Sequence, residues 1–264
     1  MMISKKIVLF FLFLAFLLGP VWVVQADEAE GTVALPRDDR NKDLDTFFDP
    51  EDITDPFEPM NRVFFQVNDK LYFWILKPVS TAYRTVVPVD FRQCFGNFFD
   101  NVAAPVRVVN NLLQGKFAGA GIDLSRFLIN STAGVLGFGD PALISFGLEP
   151  RPEDFGQTLG VWGLGEGPYL CLPIIGPLTF RDSAGFAGDA LLHPGTYVFG
   201  NPVDRAAYYS ADRVNMLSLH PDLYEDMKRY SLDPYISMRQ FYLDYRRNKL
   251  LDRPVRSNVM INEL

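Results

Sequence analysis

DFGQTLGVWGLGEGPYLCLPIIGPLTFRD, from Asp154 to Asp182, carries six glycines among Trp162, Tyr169, Leu170, Leu172, Ile174, Ile175 and Phe180. No charge falls between Glu166 and Arg181. A solvated loop is seldom this apolar, and a solvated helix does not carry this much Gly and Pro. The stretch therefore needs something to bury it: a protein core, a membrane or a lipid.

The chain has 264 residues, enough for one large domain or two small ones. Hydrophobic residues make up 48%, ordinary for a globular protein. The 23 Phe residues, many at helix-like spacing between Phe57 and Phe199, ask for a large apolar environment. A formal charge of −7 argues against nucleic acid as a partner, since that needs a basic stripe. The two cysteines, Cys94 and Cys171, form no CxxC, and no His pair stands at zinc spacing, so neither a metal site nor a cofactor is expected. Both cysteines sit in apolar sequence, where a disulfide and two buried thiols are open alternatives.

Residues 1–26 have the order of a secretory signal peptide. Lys5 and Lys6 precede twelve apolar residues, Ile7–Leu18; Gly19-Pro20 and then Val24-Gln25-Ala26 follow. An uncleaved anchor is the rival reading. No Cys precedes Cys94, so a lipoprotein acylation site is not expected near the leader. Between Asp27 and Pro56 eleven Asp/Glu stand against three Arg/Lys. Residues 27–54 thus cannot bury enough surface to offset their ordering entropy, and a flexible acidic leader is expected.

From Asp55 onward Met60, Phe64, Val67, Leu71 and Trp74/Ile75 repeat at helical spacing, and this helix is expected to stop before Pro78. Further helices are expected over Ser80–Val86, from Pro88 through Phe99, and over Val106–Gln114, the last with Pro105 in its first turn and Gly115 past its end. Phe117 to Leu136 is apolar apart from Asp123, Arg126 and Asn130, which at i, i+3 and i+7 share one narrow stripe. Two readings of the stripe stand: a self-paired Asp123–Arg126 on the solvent face of a core helix, or a polar line facing a water-filled or headgroup-lined lumen. Ala184–Pro202 reads as a broken segment, and Asp204–Met216, Pro221–Tyr230 and Pro234–Leu251 as amphipathic helices. No alternating strand pattern stands out. The fold is expected to be all-α, one domain over residues 55–251 followed by a loose tail, 252–264. No uncharged segment after the leader approaches the ~20 residues of a bilayer span, so a conventional transmembrane bundle is not expected.

Catalytic patterns are missing. There is no GxSxG elbow and no HExxH, and His193 and His220 each precede a proline in an expected loop. Gly163-Leu-Gly165-Glu-Gly167 misses the GxGxxG spacing, and no strand precedes it. An enzyme is not expected.

Several motifs in a fixed order do carry a resemblance. Asp55-Pro-Phe-Glu-Pro-Met-Asn-Arg62 is followed by Asn97-Phe98, Pro105, Val109-Asn-Asn-Leu-Leu-Gln-Gly115 and Arg126-Phe-Leu-Ile-Asn-Ser-Thr132. Gly134, Gly137-Phe138 and Asp140-Pro141 come next, then Phe155-Gly-Gln-Thr-Leu-Gly160, Gly167-Pro-Tyr169, Leu172-Pro173, Gly176-Pro177 and Arg181-Asp182. Over about residues 55–250 the chain resembles the MlaA/VacJ family of outer-membrane phospholipid-trafficking proteins. The resemblance implies an all-helical, ring-like protein seated in the inner leaflet of the Gram-negative outer membrane, usually beside a trimeric porin. It also implies a path for phospholipids strayed to the outer leaflet and their transfer to a periplasmic carrier protein, with no chemistry catalysed. Asp123, Arg126 and Asn130 become candidates for a polar lipid path. Gly156, Gly160, Trp162, Tyr169, Leu172, Ile174 and Ile175 become candidates for a membrane-seated ring wall. Family members commonly carry an N-terminal lipid anchor, and this sequence lacks the Cys for one, so its own apolar surface is expected to hold it.

Overall fold

The computed structural model describes residues 55–252. The expected signal peptide, the acidic leader and the tail from residue 253 lie outside the described residues. Helices dominate what is described, as expected, and no helix there is long and apolar enough to cross a membrane.

Helix α1 spans Glu58–Leu71, with Pro59 fitting its first turn, where an N–H has no partner to lose. The helical path does not stop before Pro78. A π turn over Tyr72–Leu76 carries it into α2, Lys77–Val86. Pro78 has no N–H to give to an α-helical acceptor. Widening the turn, so that the Lys77 N–H reaches the Tyr72 carbonyl, lets the chain pass the proline unbroken.

A single 25-residue helix, α3, covers Val89–Leu113 where two were expected, with Pro105 inside it. An interior proline costs about 3 kcal/mol. Burial of Ala104 and Val106, and packing along α4 (Phe117–Thr132) and α9 (Pro202–Leu219), override that local preference. Gly115, at φ +75°, makes the left-handed turn between α3 and α4. Two short helices follow, α5 (Pro141–Phe146) and α6 (Phe155–Val161).

Among the described residues, the next segment holds the one sheet. Strands β1 (Tyr169–Leu172) and β2 (Gly176–Thr179) form an antiparallel hairpin with Tyr169 opposite Thr179 and Leu172 opposite Gly176. Alternation is present in Tyr-Leu-Cys-Leu only as deeper and shallower burial, because every side chain there is apolar or Cys. That is why a polarity pattern did not reveal the strand.

Two asparagines of α1, seven residues apart, complete the free edge of β1. Asn61 donates through Nδ2 to the Tyr169 carbonyl (3.1 Å) and accepts from the Cys171 N–H (2.8 Å). Asn68 donates to the Leu172 carbonyl (2.9 Å) and accepts from the Ile174 N–H (2.5 Å), fixing the hairpin turn where Ile174 takes φ +74°. An edge strand with unmet backbone groups is thereby closed by side-chain amides.

Helix α7 (Phe180–Leu192) runs straight through Gly185 and Gly188, where a broken segment was expected. A Cβ on Gly185 would lie 2.4 Å from the Gly156 nitrogen and 2.5 Å from its Cα, so this glycine is a packing surface at which α6 and α7 touch backbone to backbone. Helices α8 (Gly195–Val198), α10 (Leu223–Arg229) and α11 (Pro234–Leu250) complete the described chain. A core of Tyr169, Cys171, Tyr235, Tyr242 and Leu243, flanked by Phe64 and Phe65, sits where α1, the hairpin and α11 meet. Cys94 and Cys171 are both free thiols.

Replacing Asn61 by Ala strands a buried carbonyl and a buried N–H of β1. Each unmet group costs about 1–3 kcal/mol, so Asn61→Ala is expected to lower the thermal midpoint of detergent-solubilised protein by several degrees. Asn61→Asp, which sets a buried carboxylate against Asp55 and the Tyr169 carbonyl, should fall at least as far as Ala at neutral pH; an Ala variant as stable as the parent would contradict the edge-closing role.

Candidate functional site

Helices α3 and α4 are inverted relative to helices bathed in water. On α4 Phe117, Leu124 and Leu128 are exposed beside the small residues Ala118, Ser125 and Thr132, while Asp123, Arg126 and Asn130 are at most 5% exposed. On α3, Asn101, Arg107, Asn110 and Asn111 are buried, and Phe91, Phe95, Leu112 and Leu113 face out together with Asp90, Gln93 and Asp100 of its first half. The same outward display continues through Val135, Leu136, Ile144 and Phe146 around α5. Scattered exposed apolar residues mean little, but buried polar groups combined with a contiguous apolar exterior are informative.

The polar stripe faces protein. Asp123 takes a hydrogen bond from Asn111 Nδ2 (3.2 Å) and one from the Arg151 N–H (3.2 Å), and lies 3.5 Å from Arg107 Nε. Burial lifts the Asp123 carboxyl above its ordinary range, against the pull of Arg107. Arg126 pairs with Asp140 (2.8 Å) and donates to the Leu148 carbonyl. Asn130 donates to Asp140 (2.8 Å) and accepts from the Ala142 N–H (3.0 Å). Asp140 is also the N-cap of α5, accepting from the Leu143 N–H. Burial opposes its charge, yet Arg126, Asn130 and Leu143 together hold it below the usual carboxylate value. The stripe thus joins α4 to α3 through Asp123 and to α5 through Arg126 and Asn130. Asp123 and Arg126 each take a different partner in place of one another.

The glycine-rich stretch divides between inside and outside. Tyr169 is in the core and Gly156 is buried, while Gly160, Leu172, Ile174 and Ile175 are half-buried and Trp162 is exposed. Trp162 donates its Nε1–H to the Leu113 carbonyl (3.1 Å), close to the C-terminal end of α3. The candidate wall residues therefore span buried, half-buried and exposed positions.

What holds this stretch in place was not read from the sequence. Arg246 of α11, 2% exposed, reaches Asp154 with Nη1 (2.5 Å) and Nη2 (2.9 Å), and Asp182 with Nη2 (2.6 Å) and Nε (3.1 Å). Asp154 caps α6 through the Gln157 N–H, and Asp182 also accepts from Tyr242 Oη (2.7 Å). Burial alone would raise Asp154, but Arg246 and the Gln157 donors bring it down to about 2. A signal was present, since Asp154 and Asp182 bound the charge-poor stretch; nothing in spacing connected them to an arginine 64 residues downstream.

A neighbouring carboxylate has no cation in hydrogen-bond range. Asp189 of α7 accepts from Asn110 Nδ2 (2.9 Å) and the Phe155 N–H (3.0 Å). Burial first, and then the charge of Asp154, push its carboxyl up to about 7. Asn110 in turn accepts from Thr158 Oγ1 (2.9 Å), whose own oxygen receives Gln114 Nε2 (3.2 Å), so α3, α6 and α7 share one polar seam.

Two outcomes are expected from these networks. Arg246→Met leaves Asp154 buried without its cation and Asp182 with only Arg181, 3.6 Å away, which costs about 3–5 kcal/mol. The parent's Asp154 pKa is depressed, so its contribution is present above about pH 4 and lost as pH falls towards 2. In the variant the uncompensated Asp154 carboxyl is raised instead of lowered, so its thermal midpoint should rise on acidification down to about pH 4, a range over which the parent's Asp154 contributes no slope. Asp189 has the opposite linkage: its raised pKa gives stability that is full below about pH 4 and lost as pH rises through 7. Asp189→Asn keeps an acceptor for both donors and should flatten the decline in thermal midpoint between pH 5 and about 8; an unchanged slope would count against that assignment.

Comparison with known proteins agrees with this geometry. The MlaA lipoprotein family model matches residues 53–249. The intermembrane phospholipid transport system lipoprotein MlaA of Shigella flexneri is 32% identical over 207 residues, 74% of this chain and 77% of that protein. The protein of the same name from Escherichia coli (strain K12) is 31% identical over the same shares. An uncharacterised protein of Rickettsia prowazekii (strain Madrid E) is 32% identical over 192 residues, 71% of this chain and 74% of that one. A solved structure described under the heading of the structural basis for maintenance of bacterial outer membrane lipid asymmetry superposes with a TM-score of 0.67 at 31% identity, covering 75% of this chain and 99% of the other. With a family match over most of its length, relatives above 30% identity and a shared fold, this chain belongs to the MlaA lipoprotein family.

Proposed function

We propose that this protein is an outer-membrane phospholipid conduit that removes misplaced phospholipids from the outer leaflet and hands them to a periplasmic carrier, so maintaining lipid asymmetry. The single observation that carries the reading is the inversion of α4 and of the second half of α3, where large apolar side chains stand outward and Arg107, Asp123 and Arg126 are buried, while the exposed acids Asp90 and Asp100 fall in the first half of α3. Hydrocarbon is the one surround in which that arrangement is favourable on both sides: outward Phe and Leu contact acyl chains, and charged groups stay away from them. No described helix spans a bilayer, so the chain sits in one leaflet through this surface, and a trimeric porin is the natural neighbour to share it. Export by residues 1–26 and anchoring by the apolar exterior belong to the same reading.

The polar stripe bears on transport through shape. Asp123, Arg126 and Asn130 hold α3, α4 and α5 in register, and any passage for headgroups depends on that register more than on direct contact with the three side chains. The protein moves lipid without breaking it, for the family's named role is transport.

Full-length protein extracted in mild detergent is expected to fractionate with outer membrane and to carry phospholipid identifiable by mass spectrometry. Leu128→Glu, placing a charge on the outward face of α4, should shift protein to the soluble fraction and cut the retained lipid several-fold. A freely soluble, lipid-free parent would overturn the conduit. Release of fatty acid by pure protein would point to a phospholipase instead.

A further inference from the structure

An open cleft of about 440 Å³ lies between the end of α2 and the start of α3, with Arg84, Thr85, Arg92 and Ser218 among its lining residues and no carboxylate. Arg62, Arg107, Arg126, Arg181, Arg239, Arg246 and Arg247 of the described chain all face acids. The two in the cleft do not. Arg84 is exposed and, among the described residues, has neither a hydrogen bond nor an ion pair. Arg92 gives Nε to the Val87 carbonyl (3.1 Å) and Nη1 to the Ser218 carbonyl, which fixes its plane and leaves Nη2 uncommitted. Asn215 Nδ2 in turn holds the Arg92 carbonyl (2.9 Å), so α9 braces the start of α3 from behind. The nearest acid in sequence, Asp90, does not line the cleft.

Two permanently charged guanidiniums without counter-charge, in a chain of net charge −7, are arranged for an anion. The planar fork of an arginine matches two oxygens of a phosphate. The rim adds a second requirement. Val89, Leu219 and Pro221 line the cleft with the arginines, and Val86 and Phe91, adjacent to it in sequence, are exposed by 81% and 62%, so apolar surface adjoins the cationic groups. A ligand suited to both carries a phosphate and a hydrocarbon.

We propose that the Arg84–Arg92 cleft is a phosphate-binding site that takes the phosphodiester of a glycerophospholipid, with the acyl chains lying over Val86, Val89 and Phe91. This rests on the conduit reading for the source of the ligand, while the phosphate chemistry stands without it. The site is separate from the Asp123–Arg126–Asn130 network, whose cation is already neutralised by Asp140. It gives the protein a place to hold a lipid by its invariant part, leaving the rest of the headgroup unread.

The experiment measures binding to full-length protein in detergent by calorimetry, using dihexanoyl phosphatidylglycerol, dihexanoylglycerol without the phosphate, and inorganic phosphate. Arg84→Gln removes an unpartnered charge and leaves the fold alone; Arg92→Lys keeps a charge and loses the fork. Phosphatidylglycerol is expected to bind saturably, and Arg84→Gln to raise its half-saturating concentration about tenfold, equivalent to 1.4 kcal/mol. Arg92→Lys should weaken it less, and dihexanoylglycerol should not respond to either variant. Inorganic phosphate that binds and responds to Arg84→Gln identifies free phosphate as a sufficient ligand, and phosphate that does not bind identifies the lipid as the source; both keep the site. Phosphatidylglycerol affinity unchanged in both variants overturns it. Parent protein that still carries lipid by mass spectrometry would then leave the conduit standing, so the two failures are distinguishable.

Discussion

Arg246 between Asp154 and Asp182 is the constraint on which the described fold leans. Moving a guanidinium and two carboxylates out of water is costly, and attraction repays it only when hydrogen bonds satisfy the remaining atoms. Here they do: four contacts from the arginine, the cap of α6 and the tyrosine of α11 surround the carboxylates. A C-terminal helix is thereby locked to the two ends of the glycine-rich stretch. The interaction also explains why glycine is needed beside it. A Cβ on Gly156 would fall 2.6 Å from an Asp182 oxygen and 2.7 Å from Arg246 Nη2, in space the charges already occupy.

The same economy of polar groups recurs across the molecule. Buried and half-buried asparagines meet backbone groups and carboxylates across elements: Asn61 and the half-buried Asn68 complete a sheet edge, Asn110 and Asn111 tie α3 to its neighbours, and Asn130 serves the first turn of α5. An amide both donates and accepts, so one side chain meets two backbone groups. With these backbone groups met inside, large apolar side chains can stand outside. The pairing is incomplete, since Arg107 Nε and Arg126 Nε are buried without a hydrogen-bond partner even though each guanidinium is held by a carboxylate.

Much of this was legible beforehand, and what was not has physical causes. Helical period marked α1, α4, α9 and α11 because their apolar spacing is local information. Pro78, Pro105, Gly185 and Gly188 misled, since a proline or glycine reports only a local preference: a π turn accommodates Pro78, and long-range packing outweighs the other three. The hairpin escaped because Tyr169–Leu172 meets apolar surroundings on both faces. Of the candidate site, the shared face of Asp123, Arg126 and Asn130 was visible from spacing, while their partners Arg107, Asp140 and Leu148 were not, being supplied by tertiary structure. Arg84 and Arg92 drew no notice at all, because a basic pair becomes a site only when folding keeps acids away from it.

The π turn at Tyr72–Leu76 has a geometric consequence for everything after it. A π turn holds one residue more than the α-helical turn it replaces, and one residue of an α-helix corresponds to about 100° of rotation. The faces of α1 and α2 are therefore out of phase: Asn61 and Asn68 look towards the hairpin, while Tyr83 of α2 looks towards Asn215 of α9. One continuous rod thus serves two different halves of the protein without a loop between them. The extra residue works as a fixed angular offset, and the side that Trp74 presents outward is set by counting along the backbone, with no contact of its own required.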